Sequence, residues 1–167
     1  AAKILELIPF DKLVMGGTQA TLVSFLSGLL NWTIAKISPP WIKPDRRDRS
    51  ATELHEWTHQ LGRALGIVAG YLPQQVTTAA FLDPIFSLEE ELSWSLLHPF
   101  VDAYICAHIY DAENIPAEAP ALLERCLERV LLASSLDPST YHAGELYNYN
   151  LPGLADALLF VSVERAD

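Results

Sequence analysis

Residues 50–72, SATELHEWTHQLGRALGIVAGYL, decide the fold class. Ser50 and Glu53 stand at the capping-box spacing, in which the hydroxyl bonds a backbone N–H one turn on and the carboxylate reaches back. Behind them Leu54, Trp57, Leu61, Leu65, Val68 and Leu72 recur every three or four residues, the period of a helix with one apolar stripe. Glu53, Glu56, Gln60 and Arg63 fall on a solvated face. Between these faces run His55, His59, Gly62, Gly66 and Ala69, a line of imidazoles and small residues that predicts close approach of a second helix. Pro73 ends the pattern, because proline has no N–H to give and restrains the residue before it.

The same period governs the rest of the chain. A short helix is expected around Ala2–Ile8, ended by Pro9, and Gly16-Gly17 breaks the chain before Thr18 caps a long helix to about Ile37. Its core stripe reads Leu22, Phe25, Leu26, Leu29, Thr33 and Ile37, and Thr21, Ser24, Gly28, Asn31 and Ala35 form a small, mostly polar face. Residues 74–82 read as a weaker helix stopped by Asp83-Pro84. Ser87 and Glu90 repeat the capping box and open a helix over 88–110, with Pro99 inside it as an expected kink. Two more helices are expected over 120–135, with stripe Leu122, Leu123, Cys126, Leu127, Val130 and Leu131, and over 151–164, with Leu154, Leu158 and Val161 inward. No segment alternates as a strand does. The expectation is an all-α, single-domain bundle of five to six helices across residues 1–167, with no sheet, its start at Ala1-Ala2 reading either as a trimmed end or as a domain cut from a larger protein.

Composition narrows the function classes. Half of the 167 residues are hydrophobic and the formal charge is −10, a balance that supports a core and opposes binding to phosphate backbones. No nucleic-acid partner is expected. Cys106 and Cys126 lie among apolar neighbours and read as buried free thiols. Together with first residues unlike a secretory leader, they give the expectation of a cytoplasmic chain. Leu13–Ala35 carries no charge and is long enough to cross a bilayer, yet its two distinct faces favour a soluble core helix over a membrane span.

One motif carries chemistry. His55-Glu56-Trp57-Thr58-His59 is an HExxH sequence within the first helix read above. Residues four apart lie one above the other on a helix, so two imidazoles can grip one zinc ion while Glu56 serves as base toward a metal-bound water. The stretch Thr52–Gly62 resembles the active-site helix of the zincin metallopeptidases. That resemblance implies a zinc-dependent hydrolase with His55 and His59 as ligands and Glu56 as catalytic base. Leu65 stands where some zincins place a third His, so the third ligand passes to a Glu on a later helix, Glu90 or its neighbours Glu89 and Glu91. Zincins also set this helix against a sheet, and no strand precedes Ser50. His98, one turn from Asp102, and His108, in line with Val101, Tyr104 and Ile105, read as core or boundary residues that become third-ligand candidates if the pair binds metal.

Two surface stretches read as contact regions. Trp41, Arg46 and Arg47 belong to the only basic concentration in an acidic chain, a docking site for an acidic partner with Trp41 as anchor. Tyr147 and Tyr149 lie in the Tyr- and Asn-rich stretch 141–150, of a composition common in contact surfaces. The leading expectation is therefore a helical interaction or regulatory domain with a protein partner, no membrane and no cofactor. The alternative is a zinc-binding domain built on His55 and His59.

Overall fold

The 21 residues Arg49–Ala69 form one helix at the centre of the chain's architecture. The structure is a computed structural model that describes residues 5–37, 49–88, 90–110, 115–134 and 151–164. Among the described residues there are seven helices and no strand: α1 Phe10–Met15, α2 Gln19–Ile37, α3 Arg49–Ala69, α4 from Gln74 to Phe86, α5 Glu90–Tyr104, α6 Ala119–Ser134 and α7 Leu151–Glu164. The all-α architecture is the one the periodicity predicts, with the ends of α2, α3, α6 and α7 within three residues of those expected.

The count differs from five to six for identifiable reasons. Phe10–Met15 is only six residues long and too short to display a period. It ends where Gly16 N–H bonds Lys12 O at 3.0 Å and Gly17 turns with φ 80°, a conformation that only glycine adopts without strain. Asp83-Pro84 does not stop α4. The chain passes from Gln74–Thr77 through a π-turn, Thr78–Leu82, into Asp83–Phe86, where Pro84 occupies a first turn and needs no N–H. Pro99 likewise lies inside α5, which continues to Tyr104 and then through a second π-turn, Ile105–Ile109.

Thr18 and Ser87 stand just before their helices, with altered bonding, whereas Ser50, expected as a cap, lies inside α3, which begins at Arg49. Thr18 O accepts the first bond of α2 from Leu22 N–H at 3.0 Å, but the Thr18 hydroxyl donates back to Leu13 O. The Ser87 hydroxyl donates to Pro84 O at 2.8 Å. Each side chain thus closes the preceding turn before the next helix begins.

The centre of the fold is the pairing of α3 with α5. Gly62 faces Leu96 O and Pro99, Gly66 faces Phe100 O and Tyr104 N, and Gly70 faces the His108 ring. Both residue numbers rise together, so the two helices run parallel, and α4 returns the chain between them. A Cβ on Gly62 would stand 2.6 Å from both Leu96 O and Pro99 Cγ, so glycine is what permits this approach. The small-residue line predicted on α3 is this seam.

The core around the seam includes Leu61, Leu65, Phe81, Leu82, Ile85, Leu96, Leu97, Phe100, Tyr104 and Ile109, all fully buried. Each such side chain contributes about 1.5–3 kcal/mol relative to its exposed state. Helix α2 closes one side with Leu22, Leu26, Leu30, Thr33 and Ile37. Helix α6 packs Leu122, Leu123, Cys126 and Val130 inward, and α7 covers it with Leu154, Ala157 and Val161. Arg125 and Arg129 stack over Phe86, tying α6 to the end of α4.

Candidate functional site

The HExxH segment occupies the N-terminal half of α3, beyond the glycine seam. His55 and Glu56 are exposed and His59 is half-buried. On α5 the neighbouring side chains are His98, half-buried with Trp94 edge-on at 6.0 Å, and the exposed Asp102. Burial first, then the positive charges of Arg63, His98 and His55, push the His59 pKa below the usual imidazole value, with Asp102 opposing them. His59 is therefore a neutral imidazole at neutral pH.

The third-ligand candidates fall differently. Glu90 is the first residue of α5, and its side chain lies outside the described residues, as do those of Glu89 and Glu91. His108 lies at the far end of the seam, where its Nε2 meets Ile67 O at 2.7 Å and its ring packs against Tyr71 and Tyr104. It is buried, and that burial lowers its pKa while the bond to Ile67 opposes the shift. This is the core histidine that the spacing predicted. Among the described residues no three His, Cys, Asp or Glu side chains are grouped to hold a metal ion.

One turn from His59, a cleft of about 260 Å³ lies between the N-terminal segment and α3. Glu6, Gln60 and Arg63 supply its polar groups and Leu5, Ile8, Phe10 and Ile67 its apolar wall. This volume falls just below the range of small-molecule sites.

An unanticipated bond joins α3 to α2. Trp57 Nε1 donates to Thr33 Oγ1 at 2.8 Å, and the Thr33 hydroxyl donates to Leu29 O at 2.8 Å. The buried hydroxyl is satisfied on both sides, as burial requires. Trp32 stands edge-on to Trp57 at 6.1 Å, and Lys36 Nζ lies 5.9 Å from the Trp32 ring centre.

Helix α2 shows the largest departure from expectation. Leu30 replaces Phe25 in the buried stripe, and Phe25 and Trp32 are 50% and 51% exposed. Thr21, Ser24, Gly28, Asn31 and Ala35 are exposed, as the sequence predicts, and a side chain on Gly28 would meet nothing within 4 Å. The missed signal was the width of the apolar arc: Leu22, Val23, Phe25, Leu26, Leu29, Leu30, Trp32 and Ile34 span more of the helix than one core can cover. By length and composition, Gln19–Ile37 is long and apolar enough to cross a membrane, with a mean hydropathy of 1.3 and 28% of that window buried.

The thiols divide. Cys126 is buried, and burial pushes its pKa up to about 12. Cys106 is exposed, contrary to expectation, because it follows Asp102 by one helical turn on the outer side of α5. Trp41, Arg46, Arg47, Tyr147 and Tyr149 lie outside the described residues.

No protein-family model, no curated protein and no solved structure matches this chain.

Proposed function

We propose that this chain is a helical protein-interaction domain that docks through the outer side of α2. The observation that carries this reading is the pair Phe25 and Trp32, seven residues apart on one helix face and each left half in solvent. Aromatic side chains supply large apolar area for few rotatable bonds, which is why they concentrate at protein contacts. Trp57 holds Trp32 from one side and Lys36 covers part of its ring, so its orientation is set before any partner arrives. Such preorganisation lowers the entropy lost on binding.

The sequence extends this region. Trp41, Arg46 and Arg47 follow α2 directly and supply the positive flank that selects an acidic protein. Tyr147 and Tyr149 supply a second contact segment. The test is a photo-cross-linking amino acid at position 25 in cells producing the chain, with position 128, exposed on α6, as control. Protein adducts from position 25 and none from position 128 are expected. Equal labelling from both positions, or no protein adduct from position 25, overturns the reading.

A further inference from the structure

We propose that the cleft between the N-terminal segment and α3 binds a free α-amino acid with an apolar side chain, of about the size of leucine. On α3, Gln60, Arg63, Ala64 and Ile67 line it at the i, i+3, i+4, i+7 spacing of a single helix face. On the other wall the chain turns at Pro9, where Phe10 N–H bonds Ile8 O at 2.9 Å. Leu5 and Phe10 are buried on either side of that turn and anchor it, while Glu6 is left exposed. Ala64 is buried and carries only a methyl group, which leaves depth between the two walls.

The polar groups of the cleft complement a zwitterion. Among its lining residues Arg63 brings the one positive charge and Glu6 the one negative charge. They belong to opposite walls, and no ion pair among the described residues joins them. The Arg63 guanidinium offers a fork of donors to a carboxylate, and the Glu6 carboxylate accepts from an ammonium. Half-buried Gln60, with both a carbonyl and an NH2, serves either group. Ile8, Phe10 and Ile67 supply the apolar wall for the ligand's side chain. A simple carboxylic acid would bring a like charge beside Glu6, and a simple amine would bring one beside Arg63. A ligand with both charges on one carbon avoids both repulsions, and that selects the class. Size selects within it. The cleft's 260 Å³ equals the liquid volume of about nine water molecules, which suits a ligand with as many non-hydrogen atoms, as leucine has. The cleft shares no residue with the outer side of α2, so loss of one site leaves the other intact.

The test is an NMR titration of the purified chain with L-leucine, L-leucinamide and 4-methylpentanoate. Leucinamide keeps the ammonium and lacks the carboxylate, as the N-terminus of a peptide does, and 4-methylpentanoate lacks the ammonium. Leucine is expected to bind with a dissociation constant on the order of 1 mM, at least about tenfold more tightly than either analogue. Arg63→Gln brings leucine down to the level of leucinamide, and Glu6→Gln brings it down to that of 4-methylpentanoate. Both side chains are exposed, so an unchanged urea midpoint separates a lost site from a lost fold. No shift with leucine at about twentyfold above that constant overturns the proposal. So does a leucine preference below about tenfold, or leucine binding that neither substitution weakens. Leucinamide binding more tightly than leucine overturns it in favour of a peptide N-terminus.

Discussion

The His108 imidazole occupies the space that a side chain on Gly70 would need. The ring sits at the C-terminal end of the α3–α5 seam and bonds Ile67 O. Gly62 and Gly66 repeat this relationship against the α5 backbone, so the seam is set by three absent side chains, two on α3 and one just past its end. Two consequences follow, one steric and one electrostatic.

The steric consequence is a sign difference between glycines on two helices. Gly66→Ala drives a methyl into Phe100 O, which cannot give way as a flexible side chain would, and costs about 1–3 kcal/mol by denaturant unfolding. Gly28→Ala meets no atom and gains about 0.5–1 kcal/mol from helix propensity. Equal effects at the two positions contradict the seam.

The electrostatic consequence is acid sensitivity. The folded pKa of His108 lies below the ordinary value of 6.5, so the unfolded chain takes up a proton first. The stability tied to this ring is complete above about pH 6.5 and is lost as pH falls toward the folded value; His59 shifts in the same direction. The urea midpoint is expected to drop between pH 7.5 and about pH 5.5, and to drop less in His108→Gln. An equal drop in both proteins removes His108 as the cause.

The thiols give a direct test of α5 and α6. In native protein, Ellman's reagent titrates one thiol, lost in Cys106→Ser, because Cys106 is exposed. Burial and Asp102 raise its pKa, with Arg63 opposing, so it reacts more slowly than free cysteine. Cys126 reacts only in denaturant. Two native thiols would mean that α7 does not cover α6.

The motif on α3 is tested by metal analysis. No third His, Cys, Asp or Glu joins His55 and His59 among the described residues. Under the interaction reading, protein purified without added zinc carries substoichiometric zinc, with no loss on His55→Ala or His59→Ala. Near-stoichiometric zinc, lost in both variants, establishes the zinc alternative and makes Glu90 the next residue to change.

Helix positions were legible because capping, proline stops and a 3.6-residue period act within a few turns. Pro73 and Ser87 marked the end of α3 and the start of α5 to within a few residues without any tertiary information, and the line Gly62, Gly66, Ala69 announced a close helix neighbour. The π-turn before Pro84 was not legible, because carrying a proline depends on a register shift that no local preference signals. Phe25 and Leu30 show the same limit. Both lie within the broad apolar arc of α2, and the period cannot say which edge of that arc the core will cover.

The sequence by itself determined an all-α chain, the extents of its long helices and the small-residue face on α3, because each depends on backbone geometry and neighbours a few residues away. Only the tertiary structure decided that His108 fills the end of the seam, that Trp57 bonds Thr33, that Cys106 and Phe25 face outward and that His55 and His59 lie beyond the glycines. The physical reason is that burial and convergence are properties of pairs of helices. A helix can present His55 and His59 on one line by its own period, but a third ligand must come from another helix, whose offset is set by Gly62 and Gly66 against Leu96 and Phe100.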